Sequence, residues 1–373
     1  MTTPTYPEVN PPERLLLGPG PSLVDPRVLQ AMGYATIGHL DPYLLQLFAE
    51  EQELLRVLFQ TRNEWTFALS GTGTSGMEAA LANLIVPGEA VLIAVHGYFG
   101  ERLAEIGARL GAQVDRLERP WGEIFSVEEL EAALRKNKYK LLALVHAETS
   151  TGAQQLHIRE IAAAAHRSGA LLVLDTVTSL GGLPVEVDAW EVDVAYSASQ
   201  KCLSAPSGLA PITVSPRARE AIETRSAPVG SFYLDLKGYA GYWGGAHGYH
   251  HTASASLHFA LHTALRLALE EGLEARFTRH RQNALTLWQG LEELNLPPLI
   301  PPAYRLPMLT TPRLPAGIDE AALRKRLLDE EGIEIAGGLG ALKGKVWRIG
   351  LMGYSSRLVN VTRLLDAIHT LLG

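Results

Sequence analysis

The chain has 373 residues, enough for one large α/β domain and a smaller one, because single cores stop growing at roughly 250 to 300 residues. Its net charge of −7 comes without any basic stripe, which argues against a nucleic-acid or anionic-membrane partner. Cys202 is the only cysteine, so an intrachain disulfide and a cysteine-based metal cluster are both excluded, and a reducing cytoplasm is the expected compartment.

The first residues, MTTPTYPEVNPPER, are proline-rich and lack an apolar run, so they read as an extended arm rather than a signal peptide or a membrane span. Gly18-Pro19-Gly20-Pro21-Ser22 forbids regular structure and forms a loop of ligand size. Pro26 to Met32 reads as a short helix. Tyr43 to Gln60 carries apolar residues at helical spacing and reads as a long one.

From Trp65 onward strands and helices alternate. WTFAL leads into Ser70-Gly71-Thr72-Gly73-Thr74 and then the helical pattern MEAALANLI. Small residues there let the backbone approach an anion closely, and the helix start offers unpaired N–H groups, so a phosphate fits; an ordinary tight connection is the alternative. The turn lacks the Lys-Ser/Thr ending of a P-loop and the dinucleotide spacing. VLIAV follows, then His96 to Gly100, where Phe99 is either core or a ring that stacks on a flat cofactor. ERLAEIGARLG is helical, LLALVH is a strand, and Glu148-Thr149-Ser150 forms a turn after it. His146 is assigned to packing.

LLVL (Leu171 to Leu174) is an unbroken apolar strand ending in Asp175, and the carboxyl ends of parallel strands are where such sheets bind ligands. A protonated pyridinium nitrogen would partner that carboxylate; a capping role is the alternative. VDVAYS ends in a small polar turn, SASQKCLSAPSG, from which Lys201 emerges with few charged neighbours. A desolvated ammonium loses its proton more readily, and the free amine can form a Schiff base with a carbonyl; a loop lysine in water is the alternative. Cys202 reads as a small buried filler.

LAPITVS reads as a further strand. Phe232 to Thr252 is aromatic and glycine-rich without periodicity, and loops of this kind bind partners or ligands. Its adjacent His250 and His251 are expected to point to opposite faces, and no metal is assigned to them or elsewhere. Ser256 to Leu294 shows three- and four-residue spacing and reads as a helix linking the domains. Short strands (MLTTPRL, IEIAGG, KVWRIGLMG) then alternate with helices (EAALRKRLLDEE, SRLVNVTRLLDAIHTLLG). Arg348, on a strand, needs an anion if it points inward, and its fork fits an α-carboxylate; a surface ion pair is the alternative.

A phosphate cradle, a strand-end aspartate and a strand-end lysine come in the order of a pyridoxal 5′-phosphate enzyme. With LLLGPGPS, FQTRN, SGTGTSGMEAAL, ETSTG, DTVTSLGG, SASQKCLSAPSG, YHHT and RIGLMG, nearly the whole chain resembles the class V (fold type I) aminotransferases, within them the alanine–glyoxylate and serine–pyruvate aminotransferase family. The resemblance implies an α/β fold with a mostly parallel seven-stranded sheet in a large domain and a small α+β carboxyl-terminal domain. It divides the chain into an arm and substrate loop (1–22), the large domain (23–255), and an interdomain helix with the small domain (256–373). It implies a ping-pong transfer of an amino group from alanine or serine to glyoxylate or pyruvate, with Lys201 as Schiff-base lysine and proton carrier.

Under the same resemblance Gly73, Thr74 and Gln200 hold the phosphate, Asp175 the ring nitrogen and Phe99 the ring face, and Thr72 and Val177 also bind the cofactor. Phe99 stands where the family usually has tryptophan. Thr149 meets the cofactor or the substrate, and Gly20 and Arg348 meet the substrate. Tyr249 and Thr252 match residues that cross a homodimer interface to the neighbouring subunit's phosphate. Competing readings are a lyase of cysteine desulfurase type, a class V transaminase with a different donor, and a non-catalytic binding protein on an old enzyme scaffold.

Overall fold

The computed structural model describes residues 6–245 and 247–372. Residues 1–5 of the expected arm, Ala246 of the aromatic segment and Gly373 lie outside those described. Seven strands form the main sheet: β1 (Trp65–Ser70), β2 (Ala90–Val95), β3 (Gln113–Glu118), β4 (Leu141–Val145), β5 (Leu171–Asp175), β6 (Val194–Tyr196) and β7 (Leu209–Val214). They lie in the order β1-β7-β6-β5-β4-β2-β3, with only β7 antiparallel to its neighbours. β4 to β7 are buried at every position because helices cover both faces, which is why they read as continuous apolar runs.

Helix α1 (Pro42–Phe59) begins with proline after Asp41, whose side chain accepts from the Tyr43 amide, and buries Leu44, Leu47, Phe48, Leu55 and Leu58. Helices α2 (Gly73–Leu84) and α3 (Tyr98–Arg109) follow β1 and β2, so their amino ends face the carboxyl edge of the sheet. The expected single helix over residues 256–294 is two, α4 (Ala255–Glu271) and α5 (Leu273–Glu293). Gly272 between them has φ +82°, a left-handed conformation that no continuous helix accommodates.

The two halves of that stretch serve different cores. Phe259, Leu261 and Leu265 of α4 join the large cluster around the sheet, whereas Leu287 and Leu291 of α5 join a second one with Ile333, Trp347, Ile349 and Leu364. Leu15 and Leu17 belong to the second cluster as well, because Leu15–Leu16 pairs in parallel with Ile333–Glu334. A three-stranded antiparallel sheet of β8 (Leu309–Thr310), β9 (Ala336–Gly337) and β10 (Trp347–Gly350) has β10 in its centre. The Gly350 amide donates to the Leu17 carbonyl at 2.7 Å and the Ser22 amide to the Gln200 carbonyl at 2.9 Å, so the Gly18–Ser22 loop runs from the small sheet to the turn after β6 at the carboxyl edge of the main sheet.

Candidate active site

β5 delivers Asp175 to that edge, and the parallel register sets Tyr196 of β6 directly opposite. Asp175 is buried; one oxygen accepts from the Val177 amide and the other from the Tyr196 hydroxyl, both at 2.9 Å. Burial pushes its carboxyl up to about 7, against the pull of those two hydrogen bonds. Lys201 leaves the turn after β6 and donates from Nζ to the Pro19 carbonyl. Burial pushes its amine down to about 8, and the positive charges of Arg348 and Arg102 act in the same direction.

Asp175 and Lys201 line one cavity of about 200 Å³. Thr72, Gly73 and Thr74 form one wall, at the start of α2. Thr72 makes no capping bond, and the Gly73 and Thr74 amides find no acceptor among the described residues. A side chain at Gly73 would bring its Cβ to 3.0 Å from the Ala198 Cβ and 3.2 Å from Val177, so glycine keeps the wall thin. The Gln200 carboxamide oxygen is buried with no partner, so the cavity has polar capacity that the protein leaves unfilled. Phe99, Thr149 and Val177 complete the expected set, and the Thr149 hydroxyl lies 2.6 Å from that of Thr178. Phe99 is fixed through its amide, which donates to the buried Glu148 carboxylate at 3.2 Å.

The remaining expected residues lie outside this lining. Gly20 has φ +103°, and a Cβ there would sit 2.6 Å from Lys201 Nζ, so only glycine brings the loop against the amine. Ser22 ties the same loop down, donating from Oγ to the Lys201 carbonyl at 2.8 Å. Arg348 is buried on β10 and donates from Nε to the Gly337 carbonyl at 2.8 Å; its terminal nitrogens have no acceptor among the described residues. Tyr249 and Thr252 are exposed, their hydroxyls 3.4 Å apart, and neither lines the cavity of its own chain. His146 is buried and pushed down to about 4 by burial alone, which suits a neutral packing residue. His250 and His251 do not diverge as an extended chain would have them: their Nδ1 atoms meet at 2.9 Å. Among the described residues no group of three or more potential ligands is placed to hold a metal.

Arg102 and Tyr196 are site residues that sequence reading passes over. Arg102 lines the cavity, donates to the Thr74 hydroxyl at 3.0 Å and lies 5.0 Å from the centre of the Phe99 ring. It makes no ion pair with any described residue. Its signal was the three-residue step from Phe99 on α3, which puts both on one helix face. Tyr196 was visible only as the last apolar residue of its strand.

The donor set fits pyridoxal 5′-phosphate: amides and hydroxyls for a dianion, a carboxylate for a cationic ring nitrogen, and an amine for an aldehyde. Fold and site together define an enzyme of the fold type I class that uses this cofactor. Residues 15–357 match the model of the class V aminotransferases. The (S)-ureidoglycine–glyoxylate transaminase of Bacillus subtilis is 40% identical over 97% of this chain and 91% of its own length. The alanine–glyoxylate aminotransferase of Oryctolagus cuniculus is 41% identical over 96% and 92%. The crystal structure of alanine–glyoxylate aminotransferase from Nostoc sp. superposes with a TM-score of 0.97 at 49% identity, covering 99% of this chain and 98% of that one. The chain belongs to the class V aminotransferase family and is a transaminase.

Proposed function

We propose that the enzyme passes the amino group of a small amino acid to glyoxylate in two half-reactions. The observation that carries this is the shared cavity of Lys201 and Asp175, with the unfilled fork of Arg348 close enough to depress the lysine. Both kinds of relative are named for glyoxylate, so the acceptor rests on agreement between them. Their donors differ. Alanine or serine is the donor that the family resemblance favours, and (S)-ureidoglycine is a second reading favoured by the Bacillus enzyme.

In this reading Thr72, Gly73, Thr74 and Gln200 hold the phosphate, and Asp175 keeps the ring nitrogen protonated. Phe99 and Val177 would enclose the cofactor, and Thr149 would contact it or the substrate. Bound there, the cofactor supplies an electron sink that acidifies the Cα–H of the amino acid. Lys201 would hold the cofactor through Nζ until the amino group of the donor displaces it; the freed amine, near 8, would then take the Cα proton at Nζ and give it back. Arg348 grips the α-carboxylate with its two free nitrogens, and Gly20 keeps the pocket small above Lys201. Cys202 is unsuited to desulfurase work: its thiol is buried, donates to the Thr178 carbonyl at 3.2 Å and is pushed up to about 12 by burial.

The same reading makes the enzyme a homodimer, since Tyr249 and Thr252 are exposed and miss the cavity of their own chain. It also places the enzyme in glyoxylate metabolism in the cytoplasm, the latter resting on its lone buried cysteine. No described helix is long and apolar enough to cross a membrane. A donor panel of alanine, serine and (S)-ureidoglycine against glyoxylate and pyruvate tests the assignment. Turnover with glyoxylate is the expected result, and activity with pyruvate alone would refute the acceptor.

A further inference from the structure

Just past Gly272 lies a buried charge cluster that the chemistry above does not use. Arg276, in the first turn of α5, is buried and engages all three guanidinium nitrogens. Nε donates to the Gly181 carbonyl at 2.8 Å, Nη2 to the Cys202 carbonyl, and Nη1 to the Glu271 carboxylate at 2.7 Å. Arg279 donates from Nε to the other Glu271 oxygen at 2.5 Å and from Nη1 to the carbonyls of Gly353, at 3.0 Å, and Ser356. His280 accepts the Gly353 amide at Nε2, 2.9 Å away, and donates from Nδ1 to the Arg276 carbonyl at 2.7 Å. Those two bonds require the neutral ring.

The acceptors are what distinguish this cluster. Cys202 follows Lys201, Gly181 lies in the turns that follow the strand ending at Asp175, and Gly353 and Ser356 lie just beyond the strand that carries Arg348. A buried guanidinium needs neutralising, and Glu271 supplies that; the backbone carbonyls come instead from the segments that follow the three proposed working residues in the chain. The loops also touch. At Gly353, where φ is +53°, a Cβ would sit 2.6 Å from the Cys202 carbonyl oxygen, so the lysine loop and the arginine loop meet without room for a side chain.

We propose that Arg276, braced by Glu271 and linked through Arg279 and His280 to the loop after Arg348, is a positioning residue that sets the separation of Lys201 from Arg348. The inference rests on the roles proposed above for those two residues. Its planar fork reaches the Gly181 and Cys202 carbonyls at once, which a lysine ammonium on a single stem does not, and Arg279 and His280 tie the segment after Arg348 to the same helix. A substrate held at its carboxylate by Arg348 then presents its Cα to Lys201 at a fixed distance, and a misplacement of about 1 Å costs a reaction on the order of 10²-fold.

The test compares cofactor-loaded wild type, Arg276→Lys and Arg276→Ala by thermal midpoint, by the visible absorbance of the bound cofactor against pH, and by kcat and KM for the donor. The expected result is folded Arg276→Lys with kcat lowered about 10²-fold and a displaced absorbance midpoint. A cavity of about 460 Å³ borders Glu271, Arg276 and Arg279, so added guanidinium ion is expected to restore part of the Arg276→Ala activity, and ammonium ion is not. Wild-type kcat, KM and absorbance midpoint in both variants would overturn the proposal, as would a loss that tracks the unfolded fraction and resists guanidinium. If neither variant folds, Glu271→Gln, which loosens Arg276 while leaving it in place, is judged by the same measurements and outcomes. A wild type lacking the visible band would refute the reading of Lys201 itself; a normal band with unchanged variants refutes only the role of Arg276.

Discussion

Burial biases Asp175 and Lys201 in opposite directions, each toward its neutral form, because a low-dielectric wall disfavours any charge that lacks a partner. The lysine gains nucleophilicity from this. Its amine is protonated below about 8 and free above it, so capture of pyridoxal 5′-phosphate by the cofactor-free enzyme is expected to accelerate as pH rises and to level off above about 8. Stopped-flow absorbance measures this directly, and a rate that falls through that range contradicts the assignment. Asp175→Asn removes the group that keeps the ring nitrogen protonated; kcat is expected to fall about 10²- to 10³-fold with the cofactor still attached. Both residues were legible, Asp175 as a polar break at the end of an apolar run and Lys201 as the one charged residue of the small polar turn SASQKCLSAPSG. Tyr196 and Arg102 were not. The tie of Tyr196 to Asp175 depends on cross-strand register, and Arg102 reaches Thr74 across two helices, and neither relation is written in local sequence.

Helix α2 matters for its first turn, where the Gly73 and Thr74 amides, at the positive end of the helix, meet no acceptor among the described residues. Gly73→Ala would press a methyl group against Ala198 and Val177 and shift that turn, so pyridoxal 5′-phosphate is expected to bind about tenfold more weakly. Pyridoxal without its phosphate is expected to lose much less. Equal losses for the two ligands, measured by fluorescence titration, would detach this helix from the phosphate. Strand and helix patterns gave most of the architecture because covered parallel strands are uniformly apolar. β3 escaped notice because it is an edge strand, paired only with β2, and its sequence QVDRLE is largely exposed. The helix Leu236–Trp243 was hidden by its glycines and aromatic residues, and the break at Gly272 by unbroken apolar spacing on both sides.

For the molecule as a whole, the exposed positions of Tyr249 and Thr252 make sense if each completes the site of a neighbour. Complementation distinguishes this from a role within one chain. Lys201→Ala and the double variant Tyr249→Phe, Thr252→Ala are each expected to be impaired, and co-expressed chains are expected to regain activity, because the mixed dimer contains one intact site. A mixture no more active than its parents, in a species shown by sedimentation to be dimeric, would place those residues within their own subunit.

In the proposed mechanism one amine, Lys201, carries the cofactor opposite Asp175. Borohydride reduction of the loaded enzyme followed by peptide mass mapping tests it most directly. The reduced cofactor is expected on the peptide containing Lys201, with no label in Lys201→Ala. Label on another lysine, or none on any, would contradict the account.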